Sequence, residues 1–333
     1  MQLLQALRKS GMTRYLNSRR LAHLLFLASM ALMQGCDQTN DMPPQEAMTP
    51  LTIQHVLGST VIDHRPHRVA ALDMNEVDFL DQLDVPVVGM PKDFIPHFLE
   101  EHRHNPAVED LGSIVRPNLE RVHRANPDLI LMTSLQANHY HELAQIAPTL
   151  HFDVDYRNSQ SNHIDVIKDH LIDLGKIFGK ETLARQRTAE LDSTVEKVRR
   201  VTQGRSERAL ILLHNNGAFN SFGVQSRYGF IFTELGVEPA APGIDTSMHG
   251  QPVSSEFIQQ ADPDIIYVVD RTAIMEHRPT MDASSMANPL IRQTSAWRNN
   301  RVIYVDPEAW YVTAASVSAL EIIADDIIDG YRD

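Results

Sequence analysis

The chain has one cysteine, Cys36, in 333 residues. A lone cysteine allows no disulfide framework within the chain and no thiolate metal site. Positive charge is also scarce, with 30 Lys and Arg against 43 Asp and Glu. That balance is a poor match for nucleic acid or an anionic membrane surface. Four catalytic signatures are missing: the Gly-x-Ser-x-Gly elbow, the phosphate loop, the Gly-x-Gly-x-x-Gly fingerprint and His-Glu-x-x-His. The enzyme classes that carry those motifs are therefore not indicated. The apolar run Leu21–Met33 is too short to span a bilayer as a stable helix.

What precedes and follows that run gives it a meaning. Residues 1–20 carry Arg8, Lys9, Arg14, Arg19 and Arg20 and no acid. A basic start, a short apolar core and a small residue before a break describe an export signal, here residues 1–35. The string Leu32-Met33-Gln34-Gly35-Cys36 resembles a bacterial lipobox, in which the cysteine is acylated and becomes the first residue. Cys36 is then a lipid anchor; a plain secretory signal with an incidental cysteine is the other reading. Residues 37–50 are polar and include Pro43, Pro44 and Pro50, so a flexible tether is expected over 36–55. Losing residues 1–35 deepens the formal net charge of -13 by a further five. Enough chain remains for two lobes.

An internal repeat sets the architecture. Asn118-Leu119-Glu120 is followed by Pro127-Asp128-Leu129-Ile130-Leu131, and Ser254-Ser255-Glu256 by Pro263-Asp264-Ile265-Ile266-Tyr267. Each reads as a short amphipathic helix, a turn and a buried strand. Each half also opens on an apolar strand, at Arg68–Leu72 and Arg208–Leu213. Apolar strands alternating with helices imply parallel sheets covered on both faces. The fold class expected is α/β: two Rossmann-like lobes with mainly parallel sheets, at 56–160 and 204–333. One long linking helix over 161–203 joins them, with the ligand cleft between the lobes.

Further segments carry a resemblance. They are Ser226-Arg227-Tyr228-Gly229, Met248-His249-Gly250, Ser255-Glu256-Phe257-Ile258, Val268-Val269-Asp270-Arg271 and Asp306-Pro307-Glu308-Ala309-Trp310-Tyr311. In this order, with the repeat and the lipobox, the chain over about 50–330 resembles the class III periplasmic binding proteins that serve iron-siderophore, haem and cobalamin ABC importers. The resemblance is strongest to binders of catecholate siderophores of the enterochelin and petrobactin type. It implies a periplasmic protein, monomeric, held at the membrane only through its anchor and without an intrinsic cofactor. Its ligand would be an iron(III)–siderophore complex, passed to the importer's membrane subunits.

For the site, the resemblance implies Arg227 and Arg271 as donors to an anionic ligand, which the planar guanidinium suits. A surface salt bridge is the ordinary alternative for each. It implies His249 and Tyr311 as iron contacts wherever a siderophore leaves coordination positions open. Trp310, Tyr228 and Phe222 are candidates to stack on ligand rings, with core packing the expected role of at least two of these aromatics. Leu135 stands where similar proteins carry an arginine, and Arg116 or His139 is the expected substitute. Glu120 and Glu256, at matching helix positions, are the expected docking contacts for the importer, or else two solvated carboxylates. The histidines at 64, 67, 102, 104, 139 and 141 leave direct zinc or manganese binding, or an α/β metallohydrolase, as alternatives, and the resemblance leaves a haem or cobalamin binder of the same class as another.

Overall fold

The computed structural model of the protein describes residues 47–152, 162–244 and 250–332. The expected export signal, Cys36 and His249 lie outside the described residues.

The expected tether is shorter than its predicted span. Strand β1 (Ala47–His55) pairs antiparallel with β2 (Gly58–His64), placing Leu51 opposite Ile62. Leu51, Ile53 and Ile62 pack against the main core. Their apolar side chains give residues 47–55 something to bury, which a tether lacks.

The first lobe then runs β3 (Val69–Ala71), α1 (Met74–Gln82), β4 (Val87–Met90), β5 (Glu109–Asp110), a small hairpin of β6 (Gly112–Ser113) and β7 (Arg116–Pro117), α2 (Leu119–Ala125), β8 (Leu129–Thr133) and β9 (Thr149–Phe152). Its sheet is parallel, in the order β5-β4-β3-β8-β9.

The linking segment is two helices rather than the single one expected, α3 (His163–Phe178) and α4 (Glu181–Thr202). Gly179 between them has φ +64° and caps α3, with Lys180 N–H donating to Gly175 O at 2.7 Å. The Arg65 guanidinium fills the space where a side chain at 179 would go. Glycine accepts this left-handed conformation without a steric penalty, so the chain turns there.

The second lobe contains β10 (Arg208–Asn215), β11 (Ala218–Phe222), α5 (Gly229–Thr233), β12 (Glu238–Pro239), β13 (Gln251–Val253), α6 (Ser255–Ala261), β14 (Ile265–Asp270), α7 (Arg271–Glu276), β15 (Val302–Tyr304) and α8 (Val317–Gly330). The sheet order is β13-β11-β10-β14-β15, with β12 beside the start of β10. β10, β12, β14 and β15 are parallel, and β11 and β13 run against their neighbours.

The repeat has a physical basis. Helices α2 and α6 are capped by Asn118 and Ser254 and end at Asn126 and Asp262, both left-handed. The Asp of each Pro-Asp turn then accepts the N–H that opens the other strand: Arg68 N to Asp128 at 2.8 Å and Arg208 N to Asp264 at 2.9 Å. Each arginine side chain reaches back to the exposed carbonyls at its helix end.

Each sheet has two covered faces. In β3, Ala70 and Leu72 beyond its end pack into a local cluster, while Val69 and Ala71 join the main core. In β10, Leu210 and Leu212 face one side and Ala209, Ile211 and Leu213 the other. The main core is common to both lobes: it runs from β3 and α1 through α3 and α4 to β10, β14 and α8. Polar contacts reinforce it. Ser318 on α8 donates through N–H and Oγ to the buried Asp78 of α1, and Ala315 N–H donates to Asn75. No helix among the described residues is long and apolar enough to cross a membrane.

Candidate functional site

A cavity of about 340 Å³ lies between the lobes, at the carboxyl ends of their parallel strands. Its floor is Asp73, Asn75 and Thr133, which follow or end β3 and β8. One wall is mainly apolar: Phe94, Ile114, Val115 and Leu135 from the first lobe, with Ser113 among them. The facing wall is Arg227, Arg271 and Tyr311, with Met275 and Val312 beside them.

The cationic wall is held in place by its own contacts. Arg271 follows directly on β14. Its Nε donates to Tyr311 Oη at 2.7 Å and its Nη1 to Asn215 Oδ1 at 2.9 Å. Arg227 Nη2 donates to the Tyr311 carbonyl at 3.0 Å, and its guanidinium lies 5.1 Å from the Tyr311 ring centre. Tyr311 is thus bracketed by two guanidinium groups, as Arg271 also sits 5.4 Å from its ring. Behind Arg271, His214 pairs across the sheet with Asp270. His214 Nε2 accepts from Gly217 N–H, so Nδ1 carries the proton and donates to Asp270 at 2.8 Å. That bond brings the residues that follow, Asn215 at the end of β10 and Arg271 at the start of α7, side by side.

The floor is anionic but fixed. Asp73 caps α1, accepting from Asn75 N–H at 2.8 Å and from the Thr133 hydroxyl at 3.1 Å. Burial pushes its carboxyl up to about 6. Phe94 holds a left-handed backbone, φ +53°, and its ring stacks on His277 of the other lobe at 6.1 Å. A bulky side chain in that region is costly and clusters at functional positions.

Of the expected site residues, the structure brings Arg227, Arg271 and Tyr311 together on one wall. Leu135, about half exposed, lines the opposite wall, so the missing arginine leaves an apolar surface. Arg116 is exposed on β7, one residue beyond Val115, and does not line the cavity. His139 does not line it either.

Trp310, Tyr228 and Phe222 are corrected. They are 0%, 0% and 2% exposed, and each belongs to the main core. The Trp310 indole donates to Asp326 at 2.8 Å and Tyr228 Oη donates to the Trp310 carbonyl at 3.0 Å. The polar atoms of Trp310 and Tyr228 are thus satisfied inside the protein, the Arg227 guanidinium lies 5.3 Å over the Tyr228 ring, and none of the three aromatics lines the cavity. The six first-lobe histidines do not converge on one point. Among the described residues only His102 of that set belongs to a group with metal-ligand geometry.

The family match spans residues 69–309, from the first strand of the first lobe to the turn before Tyr311, with a periplasmic binding protein. The chain belongs to the periplasmic binding protein family. It is 56% identical to the ferric-anguibactin-binding protein FatB of Vibrio anguillarum over 316 residues, which is 94% of this chain and 98% of FatB. The siderophore-binding protein BauB, solved with a complex of two acinetobactin molecules and ferric iron, superposes with a TM-score of 0.83 at 60% identity, covering 85% of this chain and 99% of that one. The petrobactin-binding protein YclQ of Bacillus subtilis is 30% identical over 92% of this chain and 98% of its own, and its structure superposes with a TM-score of 0.79.

Proposed function

We propose that the protein binds an iron(III)–siderophore complex of the catecholate type in the inter-lobe cavity and delivers it, in the periplasm, to an ABC importer. The observation that carries this reading is the pairing of walls. Arg227, Arg271 and the Tyr311 hydroxyl face apolar Phe94, Val115 and Leu135 across one cavity. An iron(III) catecholate is an anion with oxygen acceptors and flat apolar rings, and it meets donors on one side and apolar surface on the other. The names of FatB, BauB and YclQ, each a binder of siderophores or their iron complexes, support the same ligand class. Tyr311 also offers iron a phenol oxygen where the siderophore leaves a position open, with His249 as its proposed companion.

Glu120 and Glu256 sit exposed in the first turns of α2 and α6, at equivalent positions in the two lobes. We assign them to docking on the importer, and Cys36 to the lipid anchor. Fluorescence titration against iron-loaded and iron-free siderophores tests the cargo. Tight, saturable binding of the iron complex is expected, with the metal-free siderophore much weaker; equal weak binding of both would refute it.

A further inference from the structure

We infer that the seam between the lobes carries a second, separate site, for a divalent first-row transition ion such as Zn²⁺, built from His97, Asp306 and Glu308. His97 opens the 3₁₀ turn His97–His102 of the first lobe, and Asp306 and Glu308 flank Pro307 in the second. The two sides are 211 residues apart in sequence, yet His97 Nδ1 lies 3.0 Å from Glu308 Oε2 and 3.5 Å from Asp306 Oδ2. All three candidate ligand atoms fall within 4.8 Å of one another. Zinc holds imidazole nitrogen and carboxylate oxygen at about 2.0–2.2 Å, which in a tetrahedron separates neighbouring ligand atoms by about 3.3–3.6 Å. The 3.5 Å between His97 and Asp306 matches that edge, and the 3.0 Å between His97 and Glu308, a hydrogen bond without the ion, needs to open by only a few tenths of an ångström.

The carboxylates are already aimed. Ala309 N–H donates to Asp306 Oδ1 at 2.8 Å, which leaves Oδ2 turned to His97. His97 N–H donates to Glu308 Oε2 at 2.7 Å and holds that carboxylate beside the ring. The nearby Arg103 is engaged by Glu100 at 2.7 Å and by the Ile95 carbonyl at 3.0 Å. His97 is 59% exposed at its side chain and Asp306 24%, so an ion can enter and keep water on its remaining positions. Two carboxylates and one neutral imidazole balance a dication, and that donor set suits zinc, cobalt and manganese. The other such group among the described residues, Asp81, Glu101 and His102, lies within one lobe, and its Glu101 is 74% exposed and 3.8 Å from the imidazole.

The site adjoins the cavity. A space of about 310 Å³ beside it is lined by Asp306 and Glu308 and shares Phe94 and Val312 with the siderophore cleft. A bound ion there joins the turn that bears Tyr311 to the segment that bears Phe94.

The test needs no siderophore, so its failure is independent of the cargo. Untagged protein, stripped with a chelator, is titrated with Zn²⁺ by calorimetry and with Co²⁺ by visible absorption. One ion per chain is expected. His97→Ala and, separately, the near-isosteric Glu308→Gln should each weaken uptake by about tenfold or more, and His102→Ala should leave it unchanged. Melting temperatures equal to the parent's would show that the variants are folded. Absence of stoichiometric uptake below roughly 100 µM, uptake retained in both seam variants, or loss of uptake in His102→Ala would each overturn the inference.

Discussion

Arg271 is oriented before any ligand arrives, by Tyr311 on one side and Asn215 on the other. Little side-chain freedom remains to be lost on binding, which favours affinity. Replacing Arg271 or Arg227 with Gln removes a charge-assisted contact of about 1.5–3 kcal/mol, so affinity for an anionic iron complex should fall roughly tenfold or more. An unaltered titration with both replaced would remove them from the site. Leu135→Arg places a third cation on the apolar wall, so it should favour more highly charged complexes over less charged ones in a competition titration. Tyr311→Phe should weaken a tetradentate iron complex more than a hexadentate one and shift the former's charge-transfer band. Equal losses without a spectral change would make Tyr311 a packing residue. The two arginines and the tyrosine were legible because the resemblance rests on the segments that hold them. Which of the aromatics beside them belong to the core was not legible, because Trp310 and Tyr228 satisfy their polar atoms through Asp326 and the Trp310 carbonyl, contacts that span 16 and 82 residues. Asp73 had a signal that was not used: like Asp270, it follows an apolar strand and caps the helix beyond.

At the scale of elements, strand and helix order followed from apolar runs and from the repeated Pro-Asp turn, whose aspartates tie paired strands together. The break at Gly179 was visible as a glycine, but the decisive partner is Arg65, more than a hundred residues earlier. Gly179→Ala should cost about 1 kcal/mol or more, from positive φ and from displacing that guanidinium, and urea denaturation would measure it. The start of α3 carries a pH dependence. His163 is buried, stacks on Phe230 at 4.1 Å and donates through Nε2 to the Ala314 carbonyl at 2.9 Å. Burial holds its pKa at about 4, below the ordinary 6.5. The unfolded chain therefore takes up a proton first as pH falls from 6.5, and the stability that neutral His163 contributes is lost toward pH 4. Asp73 and Asp326, each raised to about 6 by burial, act with the opposite sign over the same range. The histidine's share shows only by difference. The stability deficit of His163→Gln relative to the parent should shrink between pH 7 and pH 4 by on the order of 3 kcal/mol. A deficit constant with pH would show that the histidine is not held neutral.

For the whole molecule, the glutamates proposed for docking and the proposed binding cavity occupy different places: Glu120 and Glu256 stand exposed on α2 and α6, whereas the cavity opens at the strand ends between the lobes. Replacing both with Ala should leave siderophore affinity intact and cut uptake in a reconstituted importer. Loss of affinity with undiminished transport per bound ligand would reverse the assignment. A further consequence follows from the apolar cluster shared by the two lobes. Their folding free energy cannot be divided between them, because strands of both sheets and the helices α3, α4 and α8 contribute to one continuous apolar cluster. Heating should produce one calorimetric transition, raised as a whole when cargo is bound. A jaw-like swing would tear apolar side chains out of this common interior, so the radius measured by X-ray scattering should change by less than about 1 Å on loading. The importer would then have to tell full from empty by local features at the seam, such as the ordering of the Phe94 and Tyr311 segments, rather than by the distance between two closing halves.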